Sequence, residues 1–266
     1  MTAGTISRKP SLRVERRLQR SGHRLIAGMD EVGRGALAGP VSVGVVVVDE
    51  VCRSVPVGVK DSKLLSHQMR QRLVPRIQAW ATAYAVGHAS PAEIDKYGIM
   101  VALRFAGSRA LAALSRFSVR PDLVLLDGNH DWLTDPRQVG LLGLLESGVA
   151  QPHCVPVRTM VKADVFCSSV AAASVLAKVE RDAMMVALAA QVPEYAWELN
   201  KGYSAPEHFA ALQCHGPSVH HRRSWRLPGV NSVAGADCAE VTVAAGVGGA
   251  LVDDDGGVRT ERGGEQ

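Results

Sequence analysis

The chain has 266 residues, of which 47% are apolar and 21% charged, as is ordinary for a globular protein. Its longest apolar run, over residues 43–48, is far too short to cross a membrane, and no apolar stretch follows the first residues. The five cysteines are scattered without a C-x-x-C pair, which argues against a structural zinc site. These features exclude a membrane-spanning chain and predict a cytoplasmic protein built on one core.

The net charge of +4 is distributed unevenly along the chain. Residues 1–24 hold seven Lys or Arg against one acid, whereas residues 231–266 hold seven acids against two arginines. We therefore expect a flexible basic arm over residues 1–24, a catalytic domain over residues 25–230 and a disordered acidic tail over residues 231–266. The arm could contact phosphates or be a solvated tail, and the charges alone do not distinguish these interpretations.

Strands and helices alternate in the predicted order, which is typical of an α/β fold with a central sheet flanked by helices. The apolar runs predict strands at residues 25–30, 41–48, 81–89, 122–127 and 153–157. Helices are expected over about residues 67–80, 100–117 and 165–190.

Sequence signals also indicate where helices begin and end. Ser66 is a candidate N-cap, and two Ser-x-x-Glu capping boxes are expected, one at Ser90–Glu93 and one at Ser204–Glu207. Gly216-Pro217 should end the helix that follows the second box.

Acidic residues stand at the ends of two predicted strands. Asp30 and Glu31 follow the first strand, Asp127 ends the fourth, and Asp164 comes just before the longest predicted helix, whose dipole favours an anion. If the first and fourth strands are neighbours, Asp30 and Asp127 converge at one sheet edge. Such a cluster of carboxylates is the kind of site that Mg²⁺ or Mn²⁺ prefers.

Each acid also has an ordinary interpretation. Asp30 and Glu31 could form a solvated turn, Asp127-Gly128 a simple turn signal, and Asp164 could be an N-cap without further function. Taken singly, these local patterns leave the alternatives open.

The order of several sequence blocks is more informative than any one of them. The first, GMDEVGRGALAGPV at residues 28–41, closely resembles the signature opening of the bacterial ribonuclease HII family. Further blocks similar to that family follow in family order: DSKLLS at 61–66, LLDG at 125–128, KAD at 162–164, AAASVLAKVERD at 171–182, KGY at 201–203, His208, GPS at 216–218 and HRRS at 221–224. Together they cover most of the chain.

The resemblance implies a ribonuclease H-like α/β fold, a central mixed sheet flanked by helices, with a helical C-terminal part. It implies a metal-dependent endonuclease that cuts the RNA strand of RNA–DNA hybrids, and DNA on the 5′ side of embedded ribonucleotides, leaving a 3′-hydroxyl and a 5′-phosphate. Nucleic acid is therefore the expected partner, without a membrane, and a monomer is expected. Two Mg²⁺ or Mn²⁺ ions would be held by Asp30, Glu31, Asp127 and Asp164.

Substrate contacts are also carried over from the resemblance. The backbone of Gly33-Arg34-Gly35 would approach the ribonucleotide 2′-hydroxyl, and Tyr203 would lie against the sugar, although a packed core tyrosine is the ordinary alternative. The expected remaining substrate contacts, mainly basic groups facing phosphates, are Lys63, Ser174, Lys178, Arg181 and the stretch 220–223.

Two departures from the family pattern and two other functions bear on this interpretation. Ala36 stands where proline is frequent, and Phe166-Cys167 follow Asp164 where smaller or more polar residues are usual. The alternatives are another nuclease of the same fold, such as a junction resolvase, and a non-catalytic nucleic-acid-binding module. A binding module has no need of four acids facing a phosphate backbone.

Overall fold

A mixed sheet of five strands forms the centre of the computed structural model, which describes residues 9–135 and 155–227. The strands lie in the order β3-β2-β1-β4-β5; β1 pairs antiparallel with β2 and parallel with β4. The outer pairs are antiparallel for β2 and β3 and parallel for β4 and β5. The strands are β1 Ile26–Val32, β2 Val41–Val48, β3 Ala83–Ala89, β4 Leu123–Asp127 and β5 Val157–Met160.

The pattern of apolar residues in β2 and β3 follows from how deeply each strand is buried. All eight residues of β2 are buried because helices cover both faces of the sheet there, whereas β3 alternates between buried and half-buried positions. The first four strands are confirmed to within two residues at their ends. The fifth was predicted too early, at 153–157: pairing with β4 begins at Val157 and continues to Met160, and residues 153–154 lie outside the described ranges.

Helices pack on both faces of the sheet. One face carries α4, and the other carries the long helix α6 with α2 and α1 beside it. Helix α6 lies so close to β1 and β2 that a Cβ at Gly28 or Gly44 would collide with its backbone. Glycine at these two positions therefore permits the close packing. The helices are α1 Arg13–Arg20, α2 His67–Trp80, α3 Pro91–Tyr97, α4 Ile99–Ala113, α5 Ala163–Phe166, α6 Ser168–Ala189, α7 Trp197–Asn200 and α8 Pro206–His215.

A smaller apolar cluster lies beyond the sheet, between the second half of α6 and the helices α7 and α8. Tyr195 stacks on Trp197 there, with ring centroids 5.0 Å apart, and Met185 of α6 is fully buried against them. This cluster is the helical C-terminal part expected from the sequence.

The predicted caps were correct at two serines and wrong at the third. Ser66 accepts a hydrogen bond from the Met69 amide, and Ser90 forms a complete capping box with Glu93. Helix α8, in contrast, begins at Pro206, so its N-cap is Ala205 and Ser204 caps nothing. Proline prefers the first helical position, and this preference sets the start one residue later than a box at Ser204 requires.

The N-terminal segment differs from the predicted flexible arm over the part that the structure describes. Helix α1 buries Leu18 in the core, and the Glu15 side chain, fully buried, accepts hydrogen bonds from the amide and hydroxyl of Ser169, at 2.9 and 2.8 Å. Glu15 thus supplies the acidic side chain that accepts hydrogen bonds at the start of α6. This role was predicted for Asp164, but α6 begins only at Ser168 because Cys167 is extended.

No helix within the described ranges is long and apolar enough to cross a membrane. The predicted acidic tail over residues 231–266 lies outside those ranges.

Candidate active site

Asp30 and Asp127 are neighbours at one edge of the sheet, as the sequence predicted. The parallel pairing of β1 and β4 brings Met29 opposite Leu126, and the next residue on each strand is one of the two aspartates. Asp127 accepts a 2.6 Å hydrogen bond from the Ala163 amide, so it is tied to the segment that carries Asp164. Two strands and one short helix therefore bring three of the predicted acids together.

Burial and nearby charges disfavour the charged forms of Asp30 and Glu31. Burial is the first cause that raises the pKa of Asp30 well above its usual value, and the nearby charges of Glu31 and Asp127 raise it further. A hydrogen bond from Ser174 acts in the opposite direction. The pKa of Glu31 is also raised, mainly by burial, although Arg34 lies 3.4 Å away and partly compensates.

Asp164 completes the acidic cluster from α5. Burial, followed by the charges of Asp127 and Asp61, raises its pKa to about 6. Lys63 faces the same cluster: partial burial lowers the pKa of its ammonium, but the charges of Asp61, Asp30 and Asp164 outweigh burial and the pKa is raised. The acids of this site thus outnumber the two cations, Lys63 and Arg34, that act on them.

The glycine-rich turn after β1 meets the predicted sugar contact. The Gly33 amide donates a 3.1 Å hydrogen bond to the Tyr203 hydroxyl, although the two residues are 170 positions apart. The ammonium of Lys178 lies 5.5 Å from the centre of the Tyr203 ring. Ala36, in place of the frequent proline, donates its amide to the Gly33 carbonyl at 3.2 Å, a bond that proline cannot make.

Two arginines predicted to face phosphates are fully buried instead. Arg181 donates to the carbonyls of Ala38, Pro40 and Lys201 at 2.9–3.1 Å. Arg222 donates to the carbonyls of the turn itself, at Gly33, Arg34 and Gly39. The prediction was wrong for Arg181, and for Arg222 within the stretch 220–223, since these guanidinium groups are buried and bond backbone carbonyls of the protein instead of facing a phosphate.

Removing one of these buried guanidiniums should therefore destabilise the fold. We expect Arg222→Met to lower the free energy of unfolding by about 1–3 kcal/mol for each carbonyl left without a donor. The matched control is Arg223→Met, since Arg223 is the exposed neighbour. Thermal unfolding of both variants checks this, and an unchanged melting temperature for Arg222→Met would contradict the assignment.

Sequence reasoning did not single out two residues that the structure places in this cluster. The Ser62 hydroxyl lies 2.7 Å from the hydroxyl of Ser174, which in turn bonds Asp30. The Asp61 side chain accepts from the Lys63 amide at 3.0 Å and so shapes the turn that carries this lysine. The signal was present, because both residues belong to the DSKLLS block.

Solved structures with a similar fold indicate the class of protein. Ribonuclease H2 from Pyrococcus horikoshii matches with a TM-score of 0.57 and 28% identity, over 76% of this chain and 94% of that chain. A Bst ribonuclease HIII in complex with Mn²⁺ matches with a TM-score of 0.53 and 21% identity, over 74% and 65% of the two chains, and this likeness concerns the fold alone. The chain has a ribonuclease H-like fold.

Sequence comparisons give the family. A family model described as ribonuclease HII matches residues 27–227. The ribonuclease HII of Streptomyces coelicolor is 46% identical over 217 residues, which cover 81% of this chain and 83% of that protein. This chain belongs to the ribonuclease HII family, and it is an endonuclease of the ribonuclease H2 type.

Proposed function

We propose that the chain cuts on the 5′ side of ribonucleotides, both in RNA–DNA hybrids and singly embedded in duplex DNA, leaving a 3′-hydroxyl and a 5′-phosphate. Asp30, Glu31, Asp127 and Asp164 would hold two divalent cations, Mg²⁺ or Mn²⁺. The observation that carries the proposal is that the acidic cluster is followed directly by the turn at Gly33, whose amide bonds the Tyr203 hydroxyl.

The donors present fit such cations. All four are carboxylates, hard oxygen ligands. Burial first, and then the charges of neighbouring carboxylates, raises the pKa of Asp30 and Asp164, so a bound cation would stabilise their charged forms. Among the described residues, no three His, Cys, Asp or Glu side chains already form a cage for a metal ion. Mg²⁺ is usually bound by one or two carboxylates, with water and substrate phosphate completing its shell, so the proposed cations would be held in part by water and substrate. When bound, the cations supply an activated water and neutralise the leaving oxygen.

The remaining residues would position the substrate. Lys63 faces the acidic cluster from a short turn and can meet a phosphate next to the scissile bond. The exposed backbone at Gly35 can approach the 2′-hydroxyl, the feature that distinguishes RNA from DNA. Tyr203, held by the Gly33 amide, can pack against the sugar. The limits of the catalytic domain at residues 25–230 remain a proposal, supported by the family match over 27–227.

The test is a DNA duplex with one ribonucleotide, incubated with Mg²⁺, with Mn²⁺ or with EDTA. We expect one cut, on the 5′ side of the ribonucleotide, only in the presence of a divalent cation. The product ends are mapped by sequencing-gel mobility and by ligation, which requires a 5′-phosphate. An all-DNA duplex is the control, and cleavage of that duplex or a cut on the 3′ side would contradict the proposal.

A further inference from the structure

Tyr203 is held at two ends. Its hydroxyl accepts from the Gly33 amide, and its backbone carbonyl lies 2.8 Å from Nδ1 of the buried His208. The preceding residues, Lys201 and Gly202, both have left-handed backbone conformations, with φ of 53° and 80°. Because a left-handed lysine is unfavourable in itself, this turn depends on contacts from outside to keep its shape.

A second buried histidine stands behind the first. Nε2 of His208 lies 3.0 Å from Nε2 of His221, and Nδ1 of His221 accepts a 3.0 Å hydrogen bond from the Ser218 amide. The two rings therefore form a continuous chain of hydrogen bonds from the Ser218 amide to the Tyr203 carbonyl, which we name the histidine relay.

The ends of the histidine relay determine where its protons lie. The Ser218 amide can only donate, so Nδ1 of His221 carries no proton and Nε2 of this neutral ring does. That proton is donated to Nε2 of His208. The Tyr203 carbonyl can only accept, which independently places the proton of His208 on Nδ1. A third observation agrees, because the indole N–H of Trp197 also points at Nε2 of His208, at 3.3 Å.

The surroundings keep both rings neutral. His208 is fully buried and His221 is 1% exposed, and the rings of Tyr195 and Trp197 pack against them. Burial is the main cause that lowers the pKa of His208, and it lowers that of His221 to about 4. Glu207 opposes this shift at His208, whereas the charge of Arg223 adds to it at His221.

We propose that His208 and His221 are positioning residues for ribonucleotide recognition, because the histidine relay fixes the Tyr203 carbonyl and, through it, the direction of the Tyr203 ring. This inference rests on the proposed role of Tyr203 against the sugar. Among the described residues, neither histidine side chain bonds a carboxylate of the acidic cluster. The His221 backbone also pairs with Ala38, so the effect proposed for the two side chains is the one that passes through Tyr203.

Two amide substitutions of His208 separate positioning from packing. In His208→Asn the side-chain amide takes the place of Nδ1 and can still donate to the Tyr203 carbonyl. In His208→Gln the amide falls near Nε2, so it can contact His221 but leaves that carbonyl without its donor. Both variants lose the ring and its packing, so a purely structural histidine would make them equally defective.

We expect His208→Gln to lower kcat/KM on the single-ribonucleotide duplex about tenfold, the value of one hydrogen bond. We expect His208→Asn to stay within about threefold of the parent in kcat/KM. Its melting temperature should be similar to that of His208→Gln, since both variants lose the same packing. His215→Gln, at the exposed end of the same helix, is the matched control and should cleave like the parent. Equal losses for His208→Asn and His208→Gln would overturn the proposal.

Tyr203→Ala, measured on the same duplex, distinguishes the two ways of failing. If Tyr203→Ala cleaves like the parent, the role of Tyr203 is wrong and the histidine relay has nothing to position. If Tyr203→Ala is slow but His208→Gln matches the parent, the histidine relay is overturned while the role of Tyr203 stands.

A measurement on the unsubstituted protein covers the case in which the variants do not fold. Long-range ¹H–¹⁵N NMR spectra report which ring nitrogen carries the proton. We expect His208 protonated on Nδ1 and His221 on Nε2, and the opposite tautomer at either ring would overturn the proposal.

Discussion

Replacing Asp30 or Asp127 by asparagine is expected to abolish cleavage while duplex binding persists. Each substitution keeps the shape of the side chain and removes one of the carboxylates proposed to hold cations. Loss of such electrostatic stabilisation should slow turnover on the order of 10²–10³-fold or more. The basic groups that we propose to bind phosphates are unchanged in these variants, so duplex binding should change little.

The stability of these variants provides a second expectation. Burial and neighbouring acids disfavour the charged form of Asp30, so a neutral asparagine removes an unfavourable charge, and the melting temperature of Asp30→Asn should be equal to or higher than that of the parent. Asp122→Asn, at the opposite end of β4, is the matched control and should cleave normally. The measurements are cleavage rate, duplex affinity by fluorescence anisotropy, and thermal unfolding. Near-normal turnover by Asp30→Asn or Asp127→Asn would refute the assignment.

The features that could be predicted from the sequence are those set by local pattern. A continuous apolar run is enough to identify β2 as a strand covered on both faces, and Ser90 followed by proline and Glu93 identifies the start of α3. The convergence of Asp30 and Asp127 needed one further assumption, that the strands carrying them are neighbours. The parallel register of β1 and β4 supplied it.

The features that were missed depend on partners distant in the chain. Arg181 and Arg222 look like surface charges in the sequence, because arginine is seldom fully buried. Apart from the Lys201 carbonyl, which Arg181 also bonds, their partners are carbonyls of residues 33–40, more than 140 positions away, and no local pattern shows them. The same holds for Glu15, whose acceptor role at α6 spans 154 positions. The basic charge of residues 1–24 therefore suggested a flexible arm, whereas the structure has the helix α1 packed on the core there.

The buried arginines and the histidine relay stabilise the same small region, which consists of the turn at residues 33–40 and Tyr203. Arg222 bonds the Gly33 and Arg34 carbonyls, whereas His208 bonds the Tyr203 carbonyl. The turn and the tyrosine, which come from opposite ends of the chain, are joined by the Gly33 amide. A surface proposed to read a 2′-hydroxyl is thus fixed by backbone contacts, which leaves its exposed side free for a sugar.

The two glycines of that turn are expected to respond differently to substitution. Gly33 has a φ of +82°, and a Cβ there would collide with the Arg181 side chain, so the fold itself requires glycine. At Gly35 a Cβ would meet nothing within 4 Å, and the backbone has no left-handed conformation. The protein alone therefore gives no reason for glycine at position 35, and contact with a substrate would.

Gly35→Ala should accordingly melt like the parent and still cleave poorly at a single embedded ribonucleotide. Displacing the sugar by about 1 Å can cost about 10²-fold, so we expect a loss of about ten- to a hundredfold in kcat/KM. The dependence of its residual activity on Mn²⁺ concentration should be unchanged, because the carboxylates are untouched. Gly33→Ala should lose both activity and melting temperature. If Gly35→Ala cleaves at the parent rate, the backbone at residue 35 does not press against the sugar, and recognition of the 2′-hydroxyl lies elsewhere.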